Sequence, residues 1–258
     1  MALTDAAKHG INKELYTALM NGDGGRVIEL CRRIPEGPLH ILTVHNDTVL
    51  HMATYSKQKD LVLELLRELP ESHLDKMFHQ NDIGNTILHE AATSNRIVPA
   101  AMEMLRRAPK LLSIHNKRGE TALFRAARYG KIEMFEYLDG EVNKIFGSEG
   151  GEEARKSFYQ RDDKTTVLHI SILTEFFDLA LLIARKYEYL VGARDEDGMT
   201  PLQLLACNPS AFRSRSQQRS LEHLTYSCVS TNDTTHVTEE ECPCGKHFGT
   251  KNRDMNQL

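Results

Sequence analysis

Apolar residues recur along the chain in two alternating kinds of stripe. The first is narrow and built on small or apolar residues: Met52-Ala53, Ala91-Ala92, Ala126-Ala127, Ser171-Ile172 and Leu205-Ala206. The second is broader and spaced three and four apart: Leu61, Val62, Leu65, Leu66; then Ala101, Met104, Leu105; then Met134, Phe135, Leu138; then Leu179, Leu182, Ile183. A narrow stripe followed by a broad one predicts a pair of short helices, and the alternation predicts a stack of such pairs.

Each narrow stripe is introduced by one motif: Thr48-Val-Leu-His51, Thr86-Ile-Leu-His89, Thr121-Ala-Leu-Phe124, Thr166-Val-Leu-His169 and Thr200-Pro-Leu-Gln203. The successive threonines lie 38, 35, 45 and 34 residues apart. A Thr before an apolar helix is an N-cap whose hydroxyl accepts from an otherwise orphaned N–H, worth ~1 kcal/mol. Thr200 and Gln203 form a capping box, with Pro201 at the first helical position, where its missing N–H costs nothing. His51, His89 and His169 stand where that Gln stands, and local hydrogen bonding is their expected role. Two residues before each Thr come Asn46, Gly84, Gly119, Lys164 and Gly198, where the chain should turn back with positive φ. Lys164 departs from that composition and falls in the unit with the 45-residue spacing, so a remodelled finger is predicted between the third and fourth motifs.

The segment Leu15-Tyr-x-Ala18-Leu19-x-x-Gly22, followed by Val27, Ile28 and Leu30, fits an opening helical pair without the Thr motif. At the other end the last unit keeps its first helix but reaches Pro209, so a second helix would have to come from Ser216 to Ser230. The expected organisation is an N-terminal extension over 1–12, a repeat domain over 13–212 of about six units with the first and last atypical and an insertion near 139–157, and a linker and disordered tail over 213–258, of which Thr231 to Leu258 is too polar to order itself.

The composite pattern Asp/Asn-x-x-Gly-x-Thr-x-Leu-His-x-Ala resembles the ankyrin repeat family from about Leu15 to Pro209, with a period close to that family's ~33 residues. The resemblance implies an all-α solenoid of stacked helix-turn-helix pairs, with hairpin-like finger turns and inner helices forming a concave face. Phe158 to Phe212, above all Arg161-Asp-Asp-Lys-Thr-Thr-Val-Leu-His-Ile-Ser-Ile-Leu-Thr174 and Gly198-Met-Thr-Pro-Leu-Gln-Leu-Leu-Ala-Cys-Asn-Pro-Ser-Ala-Phe212, is similar to plant ankyrin proteins that carry a C-terminal membrane domain named for a Pro-Gly-Gly motif. That family implies stress and defence signalling at membranes, with the repeats on the cytosolic side. Neither the Pro-Gly-Gly motif nor the apolar helices that follow it occur in this sequence, so a soluble relative or a shortened product is expected.

Composition narrows the function classes. Of 258 residues 40% are hydrophobic and 26% charged, enough apolar material for a core. The net charge of −4 supplies no broad positive field, so nucleic acid is not expected as a partner. Met1 to Gly10 lacks the basic patch and apolar run of a secretory signal, and no apolar stretch reaches the ~20 residues needed to span a bilayer. The five cysteines are odd in number and sparse, which predicts thiols in a cytoplasmic protein; the alternative is the cytosolic face of the plasma membrane, reached through a partner or a longer form.

Candidate chemistry is thin. Cys242, Cys244 and His247 could offer thiolates and an imidazole to zinc, but Cys-x-Cys is an incomplete match, and an unliganded tail is the expectation. His89-Glu90 begins like a metalloprotease helix, yet Thr93 stands where the second His is required. Asn21 to Gly25 is glycine-rich without a following Gly-Lys-Ser/Thr, and Asp195 to Gly198 lacks the closing Glu of a calcium loop. Arg213 to Arg219 reads as a solvated linker and Gly147 to Glu153 as an acidic loop. With no nucleophile, base or metal cluster assembled, neither catalysis nor a cofactor is expected. Binding of another protein is, through Met52, Tyr55, Glu90, Arg125, Arg128 and Tyr129 on inner helices and Asp82, Lys117, Arg118, Asp163 and Glu196 on the fingers. Thr48, His51, Thr86, His89, Thr121, Thr166, His169, Thr200 and Pro201 are assigned to the motif itself.

Overall fold

The structure, a computed structural model, describes residues 5–146 and 152–208. They divide into two compact units between Asp162 and Asp163. The fold is all-α, a stack of paired helices joined by finger turns.

In the first unit the pairs are α1 (Asp5–Met20) with α2 (Gly24–Arg32), α3 (Val49–Tyr55) with α4 (Lys59–Glu68), α5 (Ile87–Ala91) with α6 (Val98–Arg107), and α7 (Ala122–Arg128) with α8 (Ile132–Phe146). The inner helices α3, α5 and α7 have 7, 5 and 7 residues, too short to persist alone. They exist because their neighbours bury them: α3 packs on α5, α5 on α7, and each on its own outer helix. Leu50, Ala53, Leu88, Ala92, Leu123 and Ala127 are buried on the inner side, and Val62, Leu65, Leu66, Ala101, Met104, Phe135 and Leu138 on the outer side. Alanine on the inner helices lets the outer ones approach closely, which explains the narrow stripe.

The fingers between pairs are tied to one another through backbone. Asp82 N–H donates to the His45 carbonyl at 2.9 Å and Lys117 N–H to the Ile83 carbonyl at 3.1 Å. Within a finger, a polar residue five before the capping Thr accepts from two turn amides. Asn81 Oδ1 takes the N–H groups of Ile83 and Asn85, and Asn116 Oδ1 those of Arg118 and Glu120. Gly84 turns there at φ +81, and a Cβ added to it would stand 2.6 Å from the Lys117 amide nitrogen. Gly84→Ala should therefore cost about 2 kcal/mol in urea unfolding, because both the left-handed backbone and the neighbouring finger must yield; Gly198→Ala, with φ +75 and nothing within 4 Å, should cost about 1 kcal/mol. Equal losses would show that the finger-to-finger contact carries no weight.

The predicted remodelled finger is not there. Lys164 adopts φ +60, the same left-handed turn as Asn46, Gly84, Gly119 and Gly198. The extra residues of that unit lengthen α8 to 15 residues and add α9 (Glu152–Tyr159), which packs on α7 and α8. Tyr159 is buried and its hydroxyl donates to the buried Asp139 at 2.6 Å, giving a carboxylate inside the outer layer a partner.

The second unit contains α10 (Val167–Leu173), α11 (Phe177–Lys186) and α12 (Pro201–Ala206), with α10 packed on both others. Leu168, Leu179, Ala180, Ile183, Leu204 and Leu205 are buried there. Glu196 N–H donates to the Asp163 carbonyl at 3.0 Å, repeating the finger-to-finger bond. The expected linker and tail over 213–258, including Ser216 to Ser230, lie outside the described residues.

Candidate functional site

The motif histidines are consumed by the fold. In α3, Thr48 N–H donates to His51 Nδ1 at 3.4 Å while His51 Nε2 meets the Asn85 carbonyl, 34 residues on, at 3.1 Å. His89 repeats this with Thr86 N–H at 3.1 Å and the Glu120 carbonyl at 2.9 Å, and His169 with Thr166 N–H at 3.3 Å and the Met199 carbonyl at 3.0 Å. A carbonyl can only accept, so the ring proton sits on Nε2 and Nδ1 is the acceptor. Burial pushes His51 down to about 4 and His89 to about 3, and lowers His169. Each ring is a neutral clamp between one repeat and the next.

A polar seam along α5 and α7 was not anticipated. Glu90 and Arg125, expected at the surface, are only 6% and 8% exposed. They face each other from adjacent inner helices at 3.4 Å, and Asn85 Nδ2 donates to the second oxygen of Glu90 at 2.6 Å. Asn116 Nδ2 donates to Asn85 Oδ1 at 3.0 Å, joining this group to the buried Glu120, which pairs with Arg128 and, at 3.5 Å, with Arg161. The missed residues, Asn85 and Glu120, stand directly before the capping Thr. The available signal was that this position is polar in four of five motifs, as Asp47, Asn85, Glu120 and Thr165.

The remaining candidates lie closer to solvent. Tyr55 is 44% exposed with Lys57 Nζ 5.5 Å from its ring centre, and Met52 is half-buried beside it. Arg128 and Tyr129 are half-buried, the guanidinium of Arg125 lying 5.3 Å from the Tyr129 ring. Asp82, Lys117, Arg118 and Glu196 are exposed on finger turns, while Asp163 is half-buried and caps the Thr165 N–H at 3.0 Å. Helix α1 adds exposed Tyr16 and Met20, which sequence reasoning did not single out.

Among the described residues no group of three or more His, Cys, Asp or Glu is placed to hold a metal, and Cys242, Cys244 and His247 lie outside them. Cys31 is a free thiol that burial pushes up to about 12; Cys207, expected as a thiol, is disulfide-bonded. Asp23 caps α2 by accepting from Arg26 N–H at 3.0 Å, and the glycines around it border an open hollow of about 670 Å³. No helix among the described residues is long and apolar enough to cross a membrane.

Comparison with known proteins agrees with this architecture. Residues 50–146 match the family model of ankyrin repeats, in 3 copies. The crystal structure of EF0377, an ankyrin repeat protein, is similar over 85% of this chain and 98% of its own, with a TM-score of 0.58 and 19% sequence identity. No curated protein matches the chain. The fold is that of an ankyrin-repeat solenoid.

Proposed function

We propose that the chain is a scaffold or adaptor that binds another protein through the inner-helix face and finger turns of its repeats. The observation that carries this is the chemistry of the positions four and seven residues after each capping Thr. They hold Met52 and Tyr55, then Glu90 and Thr93, then Arg125 and Arg128, whereas the flanking motif positions barely vary. Helix packing does not call for an exposed tyrosine in one repeat and guanidinium groups two repeats on. Variable side chains on an invariant frame are what a repeat scaffold offers a partner.

The motif histidines serve as neutral clamps between repeats and Glu90 and Glu120 are paired with arginines, which supports a role in binding rather than catalysis. The similarity of Phe158 to Phe212 to plant membrane-domain ankyrin proteins supports a setting in stress or defence signalling. It also supports, as a second reading, membrane association through a partner or a longer form.

A photo-crosslinking residue placed at Tyr55 or at Tyr129 should capture a protein from the native cell, and the same residue at Arg106, exposed on the outer helix α6, should not. Adducts of equal strength at all three positions, or at Arg106 alone, would remove the inner-face reading. Fractionation of the crosslinked adducts tests the second reading, which requires the partner to be a membrane protein.

A further inference from the structure

We propose that Cys207 is a redox-operated latch on the last repeat: its disulfide ties the end of α12 to the chain beyond Asn208, and reduction of that bond loosens α12 and the finger in front of it.

The partner follows by elimination. Cys207 is disulfide-bonded, and Cys31 is a free, buried cysteine. Within one chain three cysteines remain, Cys228, Cys242 and Cys244, which lie 21, 35 and 37 residues on and outside the described residues. A cross-link over a loop of that length acts mainly by removing freedom from the opened chain.

What the latch holds is short. α12 has six residues, too few to stay helical alone, and it packs on α10. Its start is secured by the Thr200–Gln203 capping box and by the His169 bond to the Met199 carbonyl at 3.0 Å. Its end has less: the buried Asn208 donates from Nδ2 to the exposed Glu175 at 3.5 Å, a long bond, so the disulfide beside it is the stronger restraint. The preceding finger runs straight into this helix. Asp195 Oδ1 accepts from Met199 N–H at 2.9 Å, one residue before the cap, and the same finger carries the exposed Glu196. A frayed α12 therefore loosens a finger to which partner contact is assigned.

Cys207 is suited to reversible chemistry and Cys31 is not. Cys207 is half-buried, within reach of a small thiolate, whereas Cys31 is 3% exposed and burial pushes its thiol up to about 12. Opening is thiol–disulfide exchange with a dithiol reductant. One reductant thiolate attacks a sulfur of the bond, and the other cysteine leaves as a thiolate. The second reductant thiolate then displaces the first cysteine and closes the reductant's own disulfide. Two electrons pass to the protein, and each cysteine takes up a proton. Glutathione disulfide reverses the step and becomes two thiols.

The test uses the full-length chain, oxidised with glutathione disulfide or reduced with dithiothreitol. Peptide mapping of the oxidised protein should recover Cys207 joined to a peptide that carries Cys228, Cys242 or Cys244, with the protein at monomer mass on a non-reducing gel. Amide hydrogen exchange over 195–207 should quicken at least about tenfold on reduction, while α3 to α7 keep their rates. Cys207→Ser, kept under oxidant, should exchange as the reduced wild-type protein does. A free Cys207 thiol after oxidation, a Cys207 bond between two chains, or equal exchange in the two states overturns the proposal.

Discussion

Replacing His89 by alanine should lower the unfolding free energy by about 4 kcal/mol, combining the cavity left by a buried ring with two stranded polar groups. The ring is fully buried, accepts from Thr86 N–H at 3.1 Å and reaches the Glu120 carbonyl at 2.9 Å. Alanine removes both contacts and leaves the amide and the carbonyl without a partner in a place water does not reach. The second bond also crosses from one repeat to the next, so its loss weakens the interface as well as the helix start. His89→Gln separates the two effects. In the last motif Gln203 Oε1 accepts from Thr200 N–H at 2.9 Å, so Gln can serve the cap, while the bond onward to the next repeat is lost. Its expected cost is about 2 kcal/mol, one unmade buried hydrogen bond. Urea unfolding of the two variants checks the order. If Gln costs as much as Ala, the cap contributes nothing, and if Ala costs under about 1 kcal/mol the clamp assignment is wrong.

The third motif shows how the same seat can be filled differently. Phe124 is buried where the histidines sit and cannot make either bond. There the Thr121 hydroxyl donates to the Phe158 carbonyl at 3.3 Å, and the Arg161 guanidinium lies 5.6 Å from the Phe124 ring. The helix that supplies Phe158 is α9, part of the insertion, so the substitution and the added helix belong together.

That coupling marks the boundary of what the sequence discloses. The caps, the inner stripe and the turn residues were legible because each depends on contacts within a few residues, and periodicity reports such contacts directly. The Lys164 turn departs from the expectation because composition argues for glycine at positive φ, whereas the repeat takes up the same left-handed turn with Lys164 at φ +60 and Asn46 at φ +62, at a cost that the surrounding structure offsets. The burial of Glu90 and Arg125 was illegible because it depends on partners 35 residues apart that meet only after the repeats stack. A charged residue in a helix reads as solvated until its counter-charge is placed, and the helical period cannot place it. For the same reason the wall of the candidate site was readable as a set of positions, while which of them reach solvent was not.

Acidification should destabilise the protein well before its carboxylates titrate. His51 and His89 are held down to about 4 and about 3 by burial, against an ordinary value near 6.5 in the unfolded chain. Between those values the unfolded chain binds protons that the folded one refuses, so stability is complete above pH ~6.5 and falls as the pH drops below it. Each ring then removes about 1.4 kcal/mol between pH 7.5 and 5.5, or about 3 kcal/mol for the two, with a further loss from His169, whose shift has the same sign. The charged neighbours do not reverse this. His51 faces Asp47, which opposes the shift, and His79, which deepens it, and His89 faces Arg125 and His115, which both deepen it. The carboxylates lowered by arginine partners, exposed Glu68 and half-buried Glu103, act only at lower pH. The effect can be assigned through the glutamine variant, because His89→Gln has no proton to gain. Its penalty of about 2 kcal/mol at pH 7.5 should shrink to below about 1 kcal/mol at pH 5.5 as the wild-type protein loses what the variant never had. A penalty that stays constant across that range would mean His89 titrates alike folded and unfolded, and that the buried clamp with a neutral ring does not form in solution.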